Sequence, residues 1–552
     1  MKGTNQAAFR WPLLLLLPFW GLILALLILA LWADPALAEQ PAFRPHYELR
    51  VNLNLEAAYL TAVETVSFIN LTGNTLSNLV FNVPAAYFGV FSLANASVDG
   101  EPVYPALTKQ CLEVPLPKPL APGAWARIVL RFRLDLPPGD GRFGYSSGVV
   151  ALGNWYPVLA VYDQGWQCYP YSDIGDPYFT EVADYDVFLT TSSPAVVVAT
   201  GEVVLARGRA WRFRAGQVRD FALAISSRYR LLSQETQGVT ITVAYLPNHA
   251  AGAARALEIT SASLNWYSAR VGPYPYRILS IAETVAHRQN HIAQEHATLI
   301  FLRCDALERS GLDLDILTAH EVAHQWFFGV VGNNQILHPW LDEALVTALS
   351  LDFFRWKDPE AYQSLWETWG NYTGTIPLNR SIYDFQKGRA YFNAVYRRGA
   401  TFLRQLQELM GQDAYWQALR TYYMAHRFGI ARPQDFLLAM RVASPLDPLS
   451  LYQRTFDYDF LQFFEPVITT TVPVRVVNNI PLGIPIQTQG ATHIASPLQE
   501  SQSPLLGPCL LTAGEQTLQL EAFGQGIGCA HWRSTSALVA PPTAPTQSLC
   551  HR

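Results

Sequence analysis

The chain is short of charge. Asp, Glu, Lys and Arg make up only 15% of its 552 residues, and the two signs nearly cancel at a net charge of -5. No basic excess is available to neutralise phosphates, so nothing points to a nucleic-acid partner. Paired cysteines are also missing. The six cysteines lie at 111, 168, 304, 509, 529 and 550 with no C-x-x-C among them, which argues against a cysteine zinc site. If the body is exported, Cys111–Cys168 and Cys509–Cys529 are candidate disulfides, although sequence alone does not fix connectivity. There is no internal repeat. The apolar share is 50%, which is globular and excludes a disordered chain. The length suggests two to four domains.

Residues 11–32 form the one long uncharged run, mostly Leu, Ile, Ala and Trp. Its length is enough to cross a bilayer as a helix. Lys2 and Arg10 precede it and Asp34 follows, so the rest of the chain is expected outside the cytoplasm. Ala36-Leu37-Ala38 resembles a signal-peptidase site. The run length fits an uncleaved anchor and the small-residue motif fits release, and both readings of 1–38 stay open: a cell-membrane protein with an extracytoplasmic catalytic domain, or a secreted one.

From residue 47 the pattern is period two. Tyr47, Leu49, Val51, Leu53 and Leu55 alternate with more polar residues, and Ile128, Leu130, Phe132, Leu134 and Leu136 do the same. Residues 45–230 therefore read as an all-β domain of sandwich or saddle type. Mixed strands and helices follow over 238–345, with helices expected at 249–271 and 312–331 and strands at 278–282 and 299–302. From 344 to 464 the chain reads as helical and aromatic, so 238–464 is one α+β domain with a helical lobe. Beyond 465 charge becomes rare and Gly, Pro, Ser, Thr and Gln dominate, which predicts a low-complexity, weakly ordered tail over 465–552.

His320-Glu321-Val322-Ala323-His324 is an H-E-x-x-H segment. On a helix, residues i and i+4 share a face, so both imidazoles reach one ion while Glu321 sits beside them to hold the attacking water. Zinc accepts such nitrogen and oxygen donors and keeps a position open in catalytic sites. A third donor is needed, and Glu343 lies nineteen residues past His324 within Trp340-Leu341-Asp342-Glu343-Ala344. A turn at Gly332-Asn333-Asn334 and a second helix would return it to the imidazoles. The bland alternative is two surface histidines on an ordinary helix. Gln325-Trp326-Phe327-Phe328 speaks against it, because a buried helix needs a strong partner for such polar groups.

With these residues in hand, the chain resembles the aminopeptidase N-like family of zinc peptidases, the gluzincins, as a short bacterial-type member. The family has H-E-x-x-H, eighteen residues, then E, and Trp340–Ala344 looks like its W-L-N/D-E-G segment with Ala344 for glycine. The resemblance implies one Zn2+ per chain and a thermolysin-like catalytic domain. Tyr396-Arg397-Arg398-Gly399-Ala400 looks like the family's Y-x-K-G-A, which gives Tyr396 the oxyanion role, with Tyr391 as the alternative. Ile292-Ala293-Gln294-Glu295-His296 stands where the family has G-x-M-E-N; Glu295 then binds the substrate's free amine, while glycine, methionine and asparagine are replaced. Asn154-Trp155-Tyr156-Pro157 and Val218-Arg219-Asp220-Phe221-Ala222 resemble segments of the bacterial members' β domain. The resemblance covers 45–460; the large helical C-terminal domain of long members is missing.

It implies an aminopeptidase acting on peptides by metal-activated water. An endopeptidase or other hydrolase on the same site is the alternative permitted by the altered 292–296 segment, and a non-catalytic peptide-binding scaffold is the reading from another class. His287, His291 and His296 crowd that segment, and one of them is a candidate to support a ligand, though satisfied or exposed histidines are commoner. Asp342 is a candidate to hold a ligand imidazole or, more commonly, an acid at a helix N-terminus.

Overall fold

The computed structural model describes residues 44–464, except 140–141, 287–291, 310 and 458, and beyond these only short strands between 474 and 531. The 1–38 segment, His287, His291, Cys509–Cys529 and the packing of the 465–552 tail lie outside the described residues. Among the described residues no helix is long and apolar enough to cross a membrane. The chain divides into Met1–Arg44 and Pro45–Arg552, and the fold below is that of the second unit.

The period-two text becomes strand. In β1 (His46–Asn54), Tyr47, Leu49, Val51 and Leu53 all point inward and are at most 2% exposed. β1 pairs antiparallel with β2 (Tyr59–Ile69), and β4 (Trp125–Asp135) continues the sheet, with β3 (Phe91–Val98) beyond it. On the other side β5 (Ala183–Thr191) runs parallel to β1, followed by β6 (Ala210–Val218). With two short edge strands this makes an eight-stranded sheet. Leu79, Phe81, Leu112 and Val114 of a four-stranded sheet share its apolar core. Each such fully buried aliphatic side chain contributes about 1.5–3 kcal/mol. Cys111 on that smaller sheet is bonded to Cys168.

The catalytic sheet has the order β7 (Arg230–Thr236), β8 (Val239–Tyr245), β9 (Ile278–Thr284), β11 (Leu299–Arg303) and β10 (Ala293–His296). It starts at Arg230, earlier than the expected 238. Gln237 and Gly238 both have positive φ (50° and 77°), the tight hairpin turn that lets Thr236 face Val239. β8, β9 and β11 are parallel, and β10 folds back on β11 as an antiparallel edge strand. An apolar layer that includes Ala151, Val198 and Ala224 against Ala244, Ala282 and Phe301 joins the β domain to this sheet.

Helices pack on the sheet and then take over the chain. α1 (Ala250–Arg270) ends before Gly272-Pro273, and α2 (Leu312–Ala323) and α3 (Trp340–Lys357) follow. The helical lobe contains α4 (Gly399–Met410), α5 (Gln412–His426) and α6 (Pro433–Ala443). α2 stops well short of the expected residue 331. Phe328 has φ 127°, and Gly329 and Phe328 donate back to His324 and Val331 at 2.9 Å each, so 324–331 is a knot of turns. The result is a multidomain α+β protein with a β-rich N-terminal part and a helical C-terminal region.

Candidate metal and catalytic site

α2 is buried along its whole length from Leu314, and Arg255 on α1 anchors its first turn through Asp315 at 2.6 and 2.8 Å. Its last turn presents His320 and His324 with ring centroids 4.9 Å apart. α3 brings Glu343 against them: Glu343 Oε2 lies 3.2 Å from His320 Nε2 and 3.4 Å from His324 Nε2. Donors about 2.0–2.1 Å from a tetrahedral ion stand about 3.3 Å from one another, so the triangle has the dimensions zinc requires. His324 Nδ1 lies 3.1 Å from Phe327 O, which takes its N–H and leaves Nε2 with the lone pair a metal needs. His320 Nδ1 has no such partner.

Charge in the triangle follows from burial and proximity. Burial opposes charge on His324, but Glu295, Glu343 and Glu321 together outweigh it and hold the imidazole above its ordinary value. Burial likewise raises Glu343, and His324 and His320 overcome it, leaving this carboxyl well below the usual range. His320 is lowered, chiefly by burial. Glu321 is pushed up to about 8 by burial, with His324 acting against the shift, and its Oε2 is buried with no hydrogen-bond partner. Donor atoms of Glu295, Glu321 and His324 also lie within 4.8 Å of one another, so the amine-site candidate and the base candidate border the same imidazole.

Tyr396 comes from the helical lobe. It sits on a π-helical stretch, Asn393–Arg398, whose wide turn puts residues five apart on one face, and Tyr391 and Tyr396 stand with centroids 5.8 Å apart. Tyr396 Oη donates to Glu343 Oε1 at 2.6 Å, and its ring stacks on His320. The Tyr391 hydroxyl is buried without a partner. The close approach of α3 and α4 depends on Gly399, where any Cβ would overlap that of Ala344. The alanine that replaces glycine in the 340–344 segment is therefore accommodated by the glycine across the helix interface.

Glu295 lies at the edge of the sheet on β10, with Gln294 Nε2 donating to its Oε2 at 2.5 Å and Gln335 Nε2 to its Oε1 at 3.1 Å. Gln325, just past α2, grips the tip of the β10–β11 hairpin: its Nε2 donates to His296 O at 3.0 Å and its Oε1 accepts from Thr298 N at 2.8 Å. His296 does not join the triangle; its Nδ1 pairs with Asp220 of the β domain. Asp342 accepts from Gln335 at 2.7 Å and from the Glu343 amide at 3.0 Å, in the first turn of α3, and no imidazole bonds to it. Arg219 clamps the turns after α2 from the β domain, donating to Phe328 O at 2.5 Å, Thr180 O at 2.9 Å and Val330 O at 3.2 Å, and to Gly429 O. Gly332 leaves room for this guanidinium, because a Cβ there would overlap it.

The sequence reasoning missed Asp176, Gln294, Gln325 and Gln335 as site components. Gln294 was visible as the residue standing where the family has methionine. Asp176 carried no signal, since a segment of the β domain delivers it.

Residues 255–454 match the model of the peptidase family M1 domain. Aminopeptidase N of Streptomyces lividans is 24% identical over 208 residues, 34% of this chain and 24% of that protein. The tricorn protease-interacting factor F2 of Thermoplasma acidophilum is 27% identical over 214 residues, 34% of this chain and 26% of that protein. The chain thus matches about a quarter of the length of these relatives. The M1 zinc metallopeptidase of Deinococcus radiodurans shares the fold, with a TM-score of 0.56 at 19% identity over 75% of this chain and 94% of that one. A mutant of it bound to a Tyr-Ser-Ala substrate superposes with a TM-score of 0.55 at 18% identity, over 76% of this chain and 94% of that one. The resemblance to the aminopeptidase N-like peptidases stands on these matches.

Proposed function

We propose that this chain is a zinc-dependent aminopeptidase that holds one zinc ion on His320, His324 and Glu343 and removes N-terminal residues from peptides. The observation that carries the reading is the donor triangle, with separations of 3.2 and 3.4 Å, next to a buried carboxylate that has an unpartnered oxygen. Zinc in that triangle supplies a Lewis acid and lowers the pKa of water. Glu321 takes the proton of the attacking water and returns it to the leaving nitrogen. A cation in the triangle favours the anionic form this role needs, against the effect of burial. The Tyr396 hydroxyl donates to the oxygen that becomes negative as the carbonyl is attacked. Glu295, held by two glutamine amides, receives the substrate ammonium and fixes the cut one residue from the end. The solved relative that binds Tyr-Ser-Ala supports a peptide as the substrate.

The thermolysin-like character of the 238–464 domain and the role of 1–38, as membrane anchor or cleaved signal with the catalytic part outside the cytoplasm, belong to the same proposal. Its test is direct. Bound zinc is measured, and hydrolysis of a free-amine peptide is compared with that of its acetylated form, in wild type and Glu321→Gln. One zinc per chain, cleavage of the free-amine peptide only, and a zinc-loaded but inactive variant are expected. Cleavage of the acetylated peptide would replace the exopeptidase reading with an endopeptidase. Zinc-loaded wild type that cleaves neither would leave a binding scaffold.

A further inference from the structure

The β domain reaches into this site along one segment. Cys168 is bonded to Cys111 in the small sheet, and the Gln110 side chain donates to Tyr169 O beside that bond. Asn334 Nδ2 donates to the Tyr169 hydroxyl at 3.2 Å, next to the Gln335 that holds Glu295. Further on, Gly175 has φ +70°, and a Cβ there would stand 2.8 Å from both Ile382 and the Tyr391 hydroxyl. Only glycine lets the strap pass this close, and the next residue is Asp176.

Asp176 is 8% exposed and sits against the amine-site carboxylate. The Gln294 amide links the two, donating to Asp176 Oδ1 at 3.0 Å and to Glu295 Oε2 at 2.5 Å. Arg142 Nη1 supports the same Oδ1 from behind at 3.4 Å. Asp176 Oδ2 is not engaged by either group. Two anions joined by one NH2 group are spaced for a small multi-donor cation, and an ammonium has three N–H bonds to share between them. Two independent observations mark ligand space here. The Tyr391 hydroxyl against Gly175 and Glu321 Oε2 are both buried and unpartnered.

We infer that Asp176 is a second carboxylate for the substrate's α-ammonium, delivered by the β domain and held in place by Gln294 opposite Glu295. This rests on the aminopeptidase reading. It makes the disulfide-tethered strap part of the binding site, so a catalytic domain without its β domain would lack half of the amine anchor. It also assigns Gln294 a task that a methionine cannot perform, that of keeping two like charges apart and oriented.

The test uses zinc-loaded full chain and three aminoacyl p-nitroanilides, alanyl, leucyl and arginyl, in wild type and Asp176→Asn. KM is expected to rise about 10- to 100-fold, the scale of one charge-assisted hydrogen bond, with kcat within a few-fold and zinc content unchanged. The rise should be alike for all three substrates, because the α-amine is common to them. Inhibition by leucinamide, relative to its analogue lacking the amine, should weaken by the same factor. An unchanged KM would overturn the inference, as would a rise confined to the arginyl substrate, which would place Asp176 in a side-chain pocket. If Asp176→Asn does not fold, Gln294→Met removes only the amide between the carboxylates. It should raise KM about 3- to 10-fold, again uniformly, and no change or a side-chain-selective change counts against the assignment. A wild type that does not distinguish free from acetylated peptides sinks the aminopeptidase reading instead. A discriminating wild type with an indifferent Asp176→Asn sinks only this inference.

Discussion

Buried carboxylates occur in two regions of the molecule under opposite conditions. Around the donor triangle Glu343, Asp342, Glu295 and Asp176 are all nearly out of solvent, yet each accepts hydrogen bonds from a tyrosine, an amide or a guanidinium, or faces an imidazole. In the β domain Glu64 is 0% exposed on the inner face of β2, and neither of its oxygens has a partner. The first arrangement keeps anions ready for cations. The second can only house a neutral acid. Burial alone therefore does not mark a working carboxylate; the donors arrayed around it do.

Removing a donor from the triangle breaks the first arrangement most severely. His324→Ala leaves Glu343, Glu321 and Glu295 without the imidazole that offsets them, and it is expected to lose bound zinc and all measurable peptidase activity. Metal analysis after gel filtration checks the first and a p-nitroanilide assay the second. A variant that still binds stoichiometric zinc would show that the third protein donor is not the one assigned. Next in size, Tyr396→Phe keeps the ring on His320 and deletes one hydroxyl. A loss of about 100- to 1000-fold in kcat is expected, with zinc retained and KM nearly unchanged. An equal loss in Tyr391→Phe and none in Tyr396→Phe would exchange the roles of the two tyrosines.

A smaller effect sharpens the comparison at the amine end. Gln325→Ala cuts both hydrogen bonds that hold the β10–β11 hairpin to the end of α2. Each is worth about 1 kcal/mol, so the loosened Glu295 is expected to raise KM about 10-fold while kcat falls less. A pure kcat effect would mean that the hairpin positions the base and not the amine.

These two ends were not equally legible in the sequence. His320, Glu321 and His324 are fixed by one helical turn, and a helix periodicity of 3.6 suffices to aim them together. Glu343 needed only one turn and one more helix. Glu295 and Tyr396 entered through the resemblance, because nothing in their own neighbourhoods specifies an ammonium or an oxyanion. Asp176, Gln335 and Arg219 were out of reach, since their contacts span from 40 to 210 residues in sequence and exist only once the β domain docks. The expected continuation of α2 to residue 331 failed for a local reason: eight apolar and small residues read as helix, while the tertiary clamp by Arg219 holds them as turns. The membrane question stays where the sequence left it, as 1–38 lies outside the described residues.

Glu64 offers the mildest and cleanest perturbation, because it lies away from the chemistry. The alternation over 59–69 places it inward with Leu60, Ala62, Val66 and Phe68, cross-strand from Leu49 and Leu130, with the rings of Tyr47 and Tyr185 acting on it. Burial holds its carboxyl well above the usual range. In the unfolded chain the same group ionises near pH 4.3. The folded state therefore keeps a proton that the unfolded state sheds, so stability is full below about pH 4.3 and declines as pH rises towards the folded value. Glu64→Gln has no proton to shed. Its thermal midpoint is expected to exceed that of wild type at pH 8 by more than at pH 4.5, each 1 kcal/mol appearing as about 2–4 °C in a domain of 150–250 residues, while KM and kcat stay unchanged. A difference in melting independent of pH would mean that Glu64 is ionised in the fold and has found a partner. The contrast between an unaccompanied acid and the well-attended ones of the active site would then have to be abandoned.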